Sequence, residues 1–183
     1  MLPTSFNYYR ALPEDYDVTF EEIRNSLLIH GPEAKSINWD TPWRLQLLGN
    51  LEIVVRQLWA IGIETVYVDG SFVTGIGHPR DIDACFECDF DEWRTGALAE
   101  KLNQNAPKKV WTWDDEARRT VAGFSSMKLP MWCSYRVDIH PYFPDRPNIG
   151  MMLDDGTFVT VLEGFRRMRN MEAPKGILKL VKD

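Results

Sequence analysis

The chain lacks the features that would send it into a membrane, out of the cell or onto bulk nucleic acid. No apolar run is long enough to span a bilayer, and no charged-then-apolar leader opens the sequence, so no membrane association is expected. Its 3 cysteines cannot all pair within one chain, which fits a reducing, cytoplasmic setting. Positive charge is also short: 21 Lys and Arg against 27 Asp and Glu leave a formal net charge of −6. That balance argues against non-specific backbone binding, which depends on phosphate neutralisation, and leaves room only for a local basic patch. No internal repeat, low-complexity tract or linker divides the 183 residues, so a single domain is expected over 1–183. Tryptophan, by contrast, is plentiful at 7 residues; most should pack the core, with Trp111, Trp113 and Trp132 as candidates for a stacking platform.

Local signals give a mixed set of elements. Residues 1–18 read as an extended arm lying over the domain. Thr19 and Glu22 have capping-box spacing, predicting a helix from Phe20 to about Ile29 that ends before Gly31-Pro32. Thr41-Pro42 is a second start signal, with Thr as cap. From Leu45 through Leu48, Leu51, Val54, Val55, Leu58 and Ile61 an apolar stripe runs at helical spacing to Gly62. Strands are expected over Ile63–Val68, Arg80–Glu87 and Ser134–Pro141, with helices over Phe90–Asn103 and Thr157–Met168. Lys108–Trp113 has strand character, and Gly176–Val181 reads as a closing strand at a sheet edge. Arg166, Arg167 and Arg169 gather cations near a helix C-terminus, where the helix dipole favours them.

The chemistry concentrates between Val66 and Phe86. Gly70-Ser71 follows the first of these strands, and glycine lets the backbone turn with φ > 0 or approach a ligand closely. A helical turn starting at Ser71 would present free N–H groups to an anion. Asp81 and Asp83 lie two apart, so a strand points both to one face. Carboxylates so placed repel, and a divalent cation is the simplest compensation. A phosphate site beside a metal site implies nucleotide chemistry.

Gly70-Ser71 followed by Asp81-x-Asp83 resembles the signature of the DNA polymerase β-type nucleotidyltransferase superfamily. The wider chain resembles a small family of minimal nucleotidyltransferase-like proteins. That likeness extends from Leu12-Pro13, through Asp69-Gly70-Ser71-Phe72-Val73-Thr74 and Pro79, to Pro174-Lys175-Gly176-Ile177. The resemblance implies an α/β (α+β) nucleotidyltransferase-like fold, a small mixed sheet with helices mainly on one face. It implies a third carboxylate, Asp138, on the strand around Tyr135–His140. In that reading Asp81, Asp83 and Asp138 are catalytic and hold Mg²⁺ or Mn²⁺, while Gly70, Ser71 and Arg80 bind the nucleotide. The implied reaction moves a nucleoside monophosphate from NTP to a hydroxyl of a protein, an RNA end or a small molecule, with pyrophosphate released. A bacterial toxin–antitoxin or phage-defence setting, with a partner protein, goes with that family. The alternative is a catalytically silent nucleotide-binding or regulatory protein that keeps the fold.

One departure stands out: many such enzymes carry an arginine shortly after the glycine-serine pair, and Phe72, Val73 and Thr74 stand here instead. Arg80, Arg118, Arg119, Lys128 and Arg136 are the candidates to replace it. His78 and His140 lie near enough in sequence to touch phosphate or acceptor, although a structural role is the commoner one for such residues. Asp69 is expected to hydrogen-bond the turn, and Lys175 to face solvent. Cys85, Cys88, Cys133 and His140 have the residue types of a zinc site without its tight turn, so buried thiols are expected.

Overall fold

The computed structural model describes residues 1–32, 38–153, 155–168 and 173–182. A five-stranded sheet forms its centre. It is built from β1 (Tyr16–Val18), β2 (Val66–Asp69), β3 (Ile82–Glu87), β4 (Val137–Tyr142) and β7 (Leu178–Leu180), in the order β1-β7-β2-β3-β4. β7 runs antiparallel to β2 and β2 to β3, while β1–β7 and β3–β4 are parallel, so the sheet is mixed. A separate hairpin pairs β5 (Gly150–Met152) with β6 (Phe158–Thr160).

Period-two alternation assigns each sheet face. Val66, Val68, Ile82, Ala84, Phe86, Val137, Ile139, Leu178 and Leu180 join one large buried cluster. Helices α1 (Phe20–Arg24), α2 (Leu27–His30), α3 (Thr41–Ala60), α5 (Ala97–Asn105) and α6 (Pro130–Tyr135) pack their apolar residues into that cluster. Tyr67 and Cys85 point to the opposite face, where Leu162 and Phe165 of α7 (Val161–Phe165) make a smaller cluster with Ile177. Most helical packing is therefore on one face, as the resemblance implied. None of the described helices is long and apolar enough to cross a membrane.

Several boundaries differ from expectation, each for a local reason. The first predicted helix is two, because Ser26 caps α2 through Leu28 N–H and stops α1 at Arg24; the Thr19–Glu22 capping box itself is present. The cap of α3 is Asp40, which accepts from Trp43 N–H at 3.0 Å, while Thr41 donates its hydroxyl to Ile29 O. Gly96, at φ +81°, splits the next predicted helix into α4 (Phe90–Arg94) and α5. Lys108–Trp113 forms no strand, and α6 occupies part of the segment expected to be extended before β4. Only Val161–Phe165 of the predicted Thr157–Met168 helix is helical, since Thr160 caps it after β6. Arg166 pairs with Asp15 at 2.8 Å, and Arg169 lies outside the described residues. The arm ends in an edge strand, β1, and this places β7 in the interior of the sheet rather than at its edge. Pro141 sits in β4, the other edge, where the missing N–H costs no ladder bond.

Arg44 holds the segment after Gly70 in place. It is 0 % exposed in α3, a position that the apolar stripe leaves unmarked. Its guanidinium donates to Leu28 O and Phe72 O at 2.7 and 2.8 Å, and to Thr74 O and Ile76 O at 3.0 and 2.7 Å. It also lies 4.2 Å from the Trp39 ring centroid and 5.1 Å from that of Phe72. Burial lowers its pKa to about 9, yet the group stays protonated at neutral pH and satisfies loop carbonyls that have no strand partner. Lysine has three donors on one atom and cannot reproduce that planar fork. Arg44→Lys is therefore expected to destabilise the fold by about 2–4 kcal/mol, and Arg44→Ala by more. Chemical denaturation with limited proteolysis of the 71–77 segment measures both effects.

Candidate functional site

Strand register assembles the acidic residues. Asp69 of β2 pairs opposite Asp83 of β3, and Asp83 opposite Asp138 of β4, so three carboxylates cross adjacent strands on the face shared with Tyr67 and Cys85. Asp81 stands just before β3 rather than within it. Its Oδ2 accepts from Trp132 Nε1–H at 2.7 Å. The four residues predicted or weighed from widely separated segments are thus brought together.

Two ammonium groups face these four acids. Lys128 Nζ lies 3.0 Å from Asp138 Oδ2 and 3.6 Å from Asp81 Oδ2, with its side chain only 12 % exposed. It is delivered by an antiparallel bridge in which Arg119 and Lys128 exchange backbone hydrogen bonds of 2.9 and 2.8 Å. Lys175 Nζ reaches Asp69 Oδ1 at 2.7 Å with both side chains 8 % exposed, so this lysine is a buried partner and not a solvent-facing residue. His140, two residues beyond Asp138 and on the same face, places Nε2 3.0 Å from Asp138 Oδ1. Burial works against charge on Asp138, but His140 and Lys128 hold its carboxyl down to about 2. Asp69 goes the other way: burial raises its pKa against the pull of Lys175.

Asp83 is the least compensated member. Burial first, then Asp81, Asp69 and Asp138, push its carboxyl up to about 7, with Lys128 opposing. Gly70 has φ +79°, and a Cβ there would collide with the Asp83 carboxylate. The glycine thus serves both a left-handed turn and a close approach. Ser71–Val73 forms a single 3₁₀ turn, so any anion contact there rests on turn amides rather than on the dipole of a long helix.

The remaining candidates divide. Arg118 is tied to Asp115 at 2.7 Å, and Arg119 serves the backbone bridge. Arg136 caps α6 at φ +56° and turns away from Asp138 onto the Trp132 ring, 4.2 Å from its centroid. Arg80 and His78 border a cleft next to Asp81. Trp111 and Trp132 are buried, and Trp113 packs against the same core while donating to Ile139 O, so packing accounts for all three candidate stacking residues. Cys85 is buried, Cys88 intermediate and Cys133 exposed, which corrects the expectation for Cys133. Among the described residues no three His, Cys, Asp or Glu side chains converge on one point at ligand distance. Lys128 stands between Asp81 and Asp138. Lys128, by sequence a candidate phosphate contact, owes its deep placement to the 119–128 bridge, which has no strand-like signature. Arg44 left no signal beyond an arginine interrupting an apolar stripe.

The Asp83 environment fixes the sign of a pH effect. A carboxyl raised from its ordinary 3.8 to about 7 keeps its proton in the folded state over a range where the unfolded chain has lost it. Its contribution is complete below pH 3.8 and is lost as pH rises through about 7. In EDTA, thermal stability should therefore fall between pH 3.8 and about 7 by an amount sensitive to Asp83. Asp83→Asn should flatten that slope and stabilise the protein at pH 8 by about 1–3 kcal/mol. Thermal melts across the pH series decide it; an unchanged slope in the variant contradicts the assignment.

No curated protein and no solved structure matches this chain. The profile of one protein family does match, over residues 4–181, and the chain accordingly belongs to that family, which is described as a family of unknown function (DUF6932).

Proposed function

We propose that the protein is a metal-dependent nucleotidyltransferase that moves a nucleoside monophosphate from NTP to an acceptor hydroxyl. One observation carries the reading: carboxylates from three adjacent strands stand in register beside a glycine turn pressed against one of them. Among the described residues, four carboxyl groups against two ammonium groups leave an excess of oxygen donors, a set that suits Mg²⁺ or Mn²⁺ better than softer metals. When bound, such an ion neutralises triphosphate oxygens and favours the alkoxide form of an attacking hydroxyl.

Asp81, Asp83 and Asp138 would hold that ion, and the amides after Gly70 would receive the outer phosphates. Ser71 adds a hydroxyl donor at the same turn. The acceptor oxygen forms a bond to the α-phosphorus, the bond from that phosphorus to the β-bridging oxygen breaks, and pyrophosphate leaves with the electron pair. The acceptor proton passes to solvent. For the site to fill, Lys128 would have to release Asp138 or Asp81, and its ammonium would then be available to the entering phosphates. That role would supply the cation missing after Gly70-Ser71.

A silent, nucleotide-binding or regulatory protein is the second reading. Lys128 favours it, because an internal ammonium already bridges two of the acids. Incubation with each α-labelled NTP, Mg²⁺ or Mn²⁺ and a cell extract separates the two. Transferase activity predicts label on a macromolecule or metabolite with wild type and none with Asp81→Ala/Asp83→Ala. Divalent-dependent NTP binding without pyrophosphate would leave the regulatory reading standing. In the same assay Lys128→Gln should lower turnover about tenfold or more while leaving divalent affinity equal or higher.

A further inference from the structure

A cleft of about 340 Å³ opens beside the acidic row, lined by Trp43, His78, Arg80, Gly123, Phe124 and Arg136. Its walls are aromatic. Trp43 and His78 stack with centroids 5.4 Å apart and planes 13° from parallel. Trp43 is fixed by donating Nε1–H to Pro79 O at 2.6 Å, and His78 by its contact with Asp40 at 2.9 Å. Phe124 lies across from them, packed edge-on against Trp132.

The same cleft gathers two arginines. The Arg80 and Arg136 guanidiniums lie 5.4 and 5.7 Å from the Phe124 centroid. Among the described residues neither has a carboxylate partner. With no carboxylate partner among the described residues, and with Arg136 seated on the Trp132 ring, the two guanidiniums make a local anion trap in a protein of net charge −6, and their planar forks match phosphate oxygens. Flat aromatic faces beside them accept a heterocycle by stacking. A planar base carrying a phosphate satisfies both features at once.

Position distinguishes this cleft from the glycine turn. Gly70 follows β2 and presses on Asp83, whereas Arg136 leads into β4, on the other side of β3. Trp132 links the cleft wall to the acids through its hydrogen bond to Asp81. We infer that the cleft binds the acceptor, and that this acceptor is a nucleoside phosphate, either free or at the end of an RNA chain. This rests on the transferase reading proposed above. In the transfer, a sugar hydroxyl of the bound nucleoside phosphate forms the new bond to the α-phosphorus of NTP. The α–β phosphoanhydride bond breaks, pyrophosphate departs, and the hydroxyl proton goes to solvent. A protein side chain would need neither the stacked ring pair nor two guanidiniums.

The test is titration of the full chain in EDTA with nucleoside monophosphates, the matching nucleosides and a short oligoribonucleotide, followed by calorimetry and tryptophan fluorescence. Monophosphates should bind at least tenfold tighter than nucleosides. Arg80→Gln, at an exposed position, should weaken them tenfold or more, and Arg136→Gln should do likewise. A tighter oligoribonucleotide identifies a chain end as the source, and equal affinity identifies the free nucleotide. Absence of binding by both, or equal affinity in wild type and Arg80→Gln, overturns the inference. Leaving out divalent ions separates the two claims. Monophosphate binding in EDTA with no divalent-dependent NTP binding would sink the transferase, and the acceptor role with it, but not the cleft. NTP-dependent labelling of a protein without monophosphate binding would sink the cleft's assignment alone.

Discussion

Repulsion among carboxylates held in strand register is the constraint around which this protein is built. Asp69, Asp83 and Asp138 cannot move apart without breaking the β2–β3–β4 ladder, because each occupies a paired position opposite the next. Two lysines offset part of that repulsion, and each reaches the row from a distant segment. Lys175 arrives just before β7, and Lys128 comes on a bridged excursion between α5 and α6. Asp83 remains the least compensated member, pushed toward the neutral acid by burial and its acidic neighbours. A structure that only needed stability would place apolar residues at these positions; retaining the acids in register makes sense when another cation takes part.

A second buried charge fixes the geometry from the opposite sheet face. The segment after Gly70 must leave β2, make one 3₁₀ turn and return to β3 without a strand to pair with. Arg44 answers its orphan carbonyls from α3, while Arg10 and Ala11 of the arm add contacts to Gly75 and Thr74. The arm is thus part of the support for the turn. With the loop anchored from both sides, the Gly70 backbone stays against Asp83, and the turn amides stay beside the acids.

Much of the site was legible because its signals are local. Gly70-Ser71 declares a turn, Asp81-x-Asp83 declares two neighbouring acids, of which only Asp83 lies within β3, and Asp138 between Val137 and Ile139 declares a half-buried strand. Sequence spacing also identified α3 through its apolar stripe. What escaped depends on contacts distant in sequence. Lys175 has no local mark to distinguish it from a surface lysine; its burial depends on β7 lying inside the sheet, and that in turn depends on the arm adding β1. Arg44 reads as a blemish in an amphipathic pattern until the loop it serves is seen. Helix lengths were overestimated where Ser26 and Gly96 interrupt, since caps inside a continuous apolar pattern are weaker signals than the pattern itself.

The acidic row and the adjoining arginine cleft have opposite charge within a short span of the surface, an arrangement suited to bringing a metal-bound phosphate and a second phosphate close together. The central claim is that the row takes a divalent cation together with nucleotide. Titration of Mn²⁺ into the protein, read by the paramagnetic resonance signal of free ion, tests it directly. The account predicts that wild type depletes the free-ion signal, more strongly with a non-hydrolysable NTP analogue, and that Asp81→Ala/Asp83→Ala does not. A free-ion signal indifferent to the protein, with and without nucleotide, would contradict it.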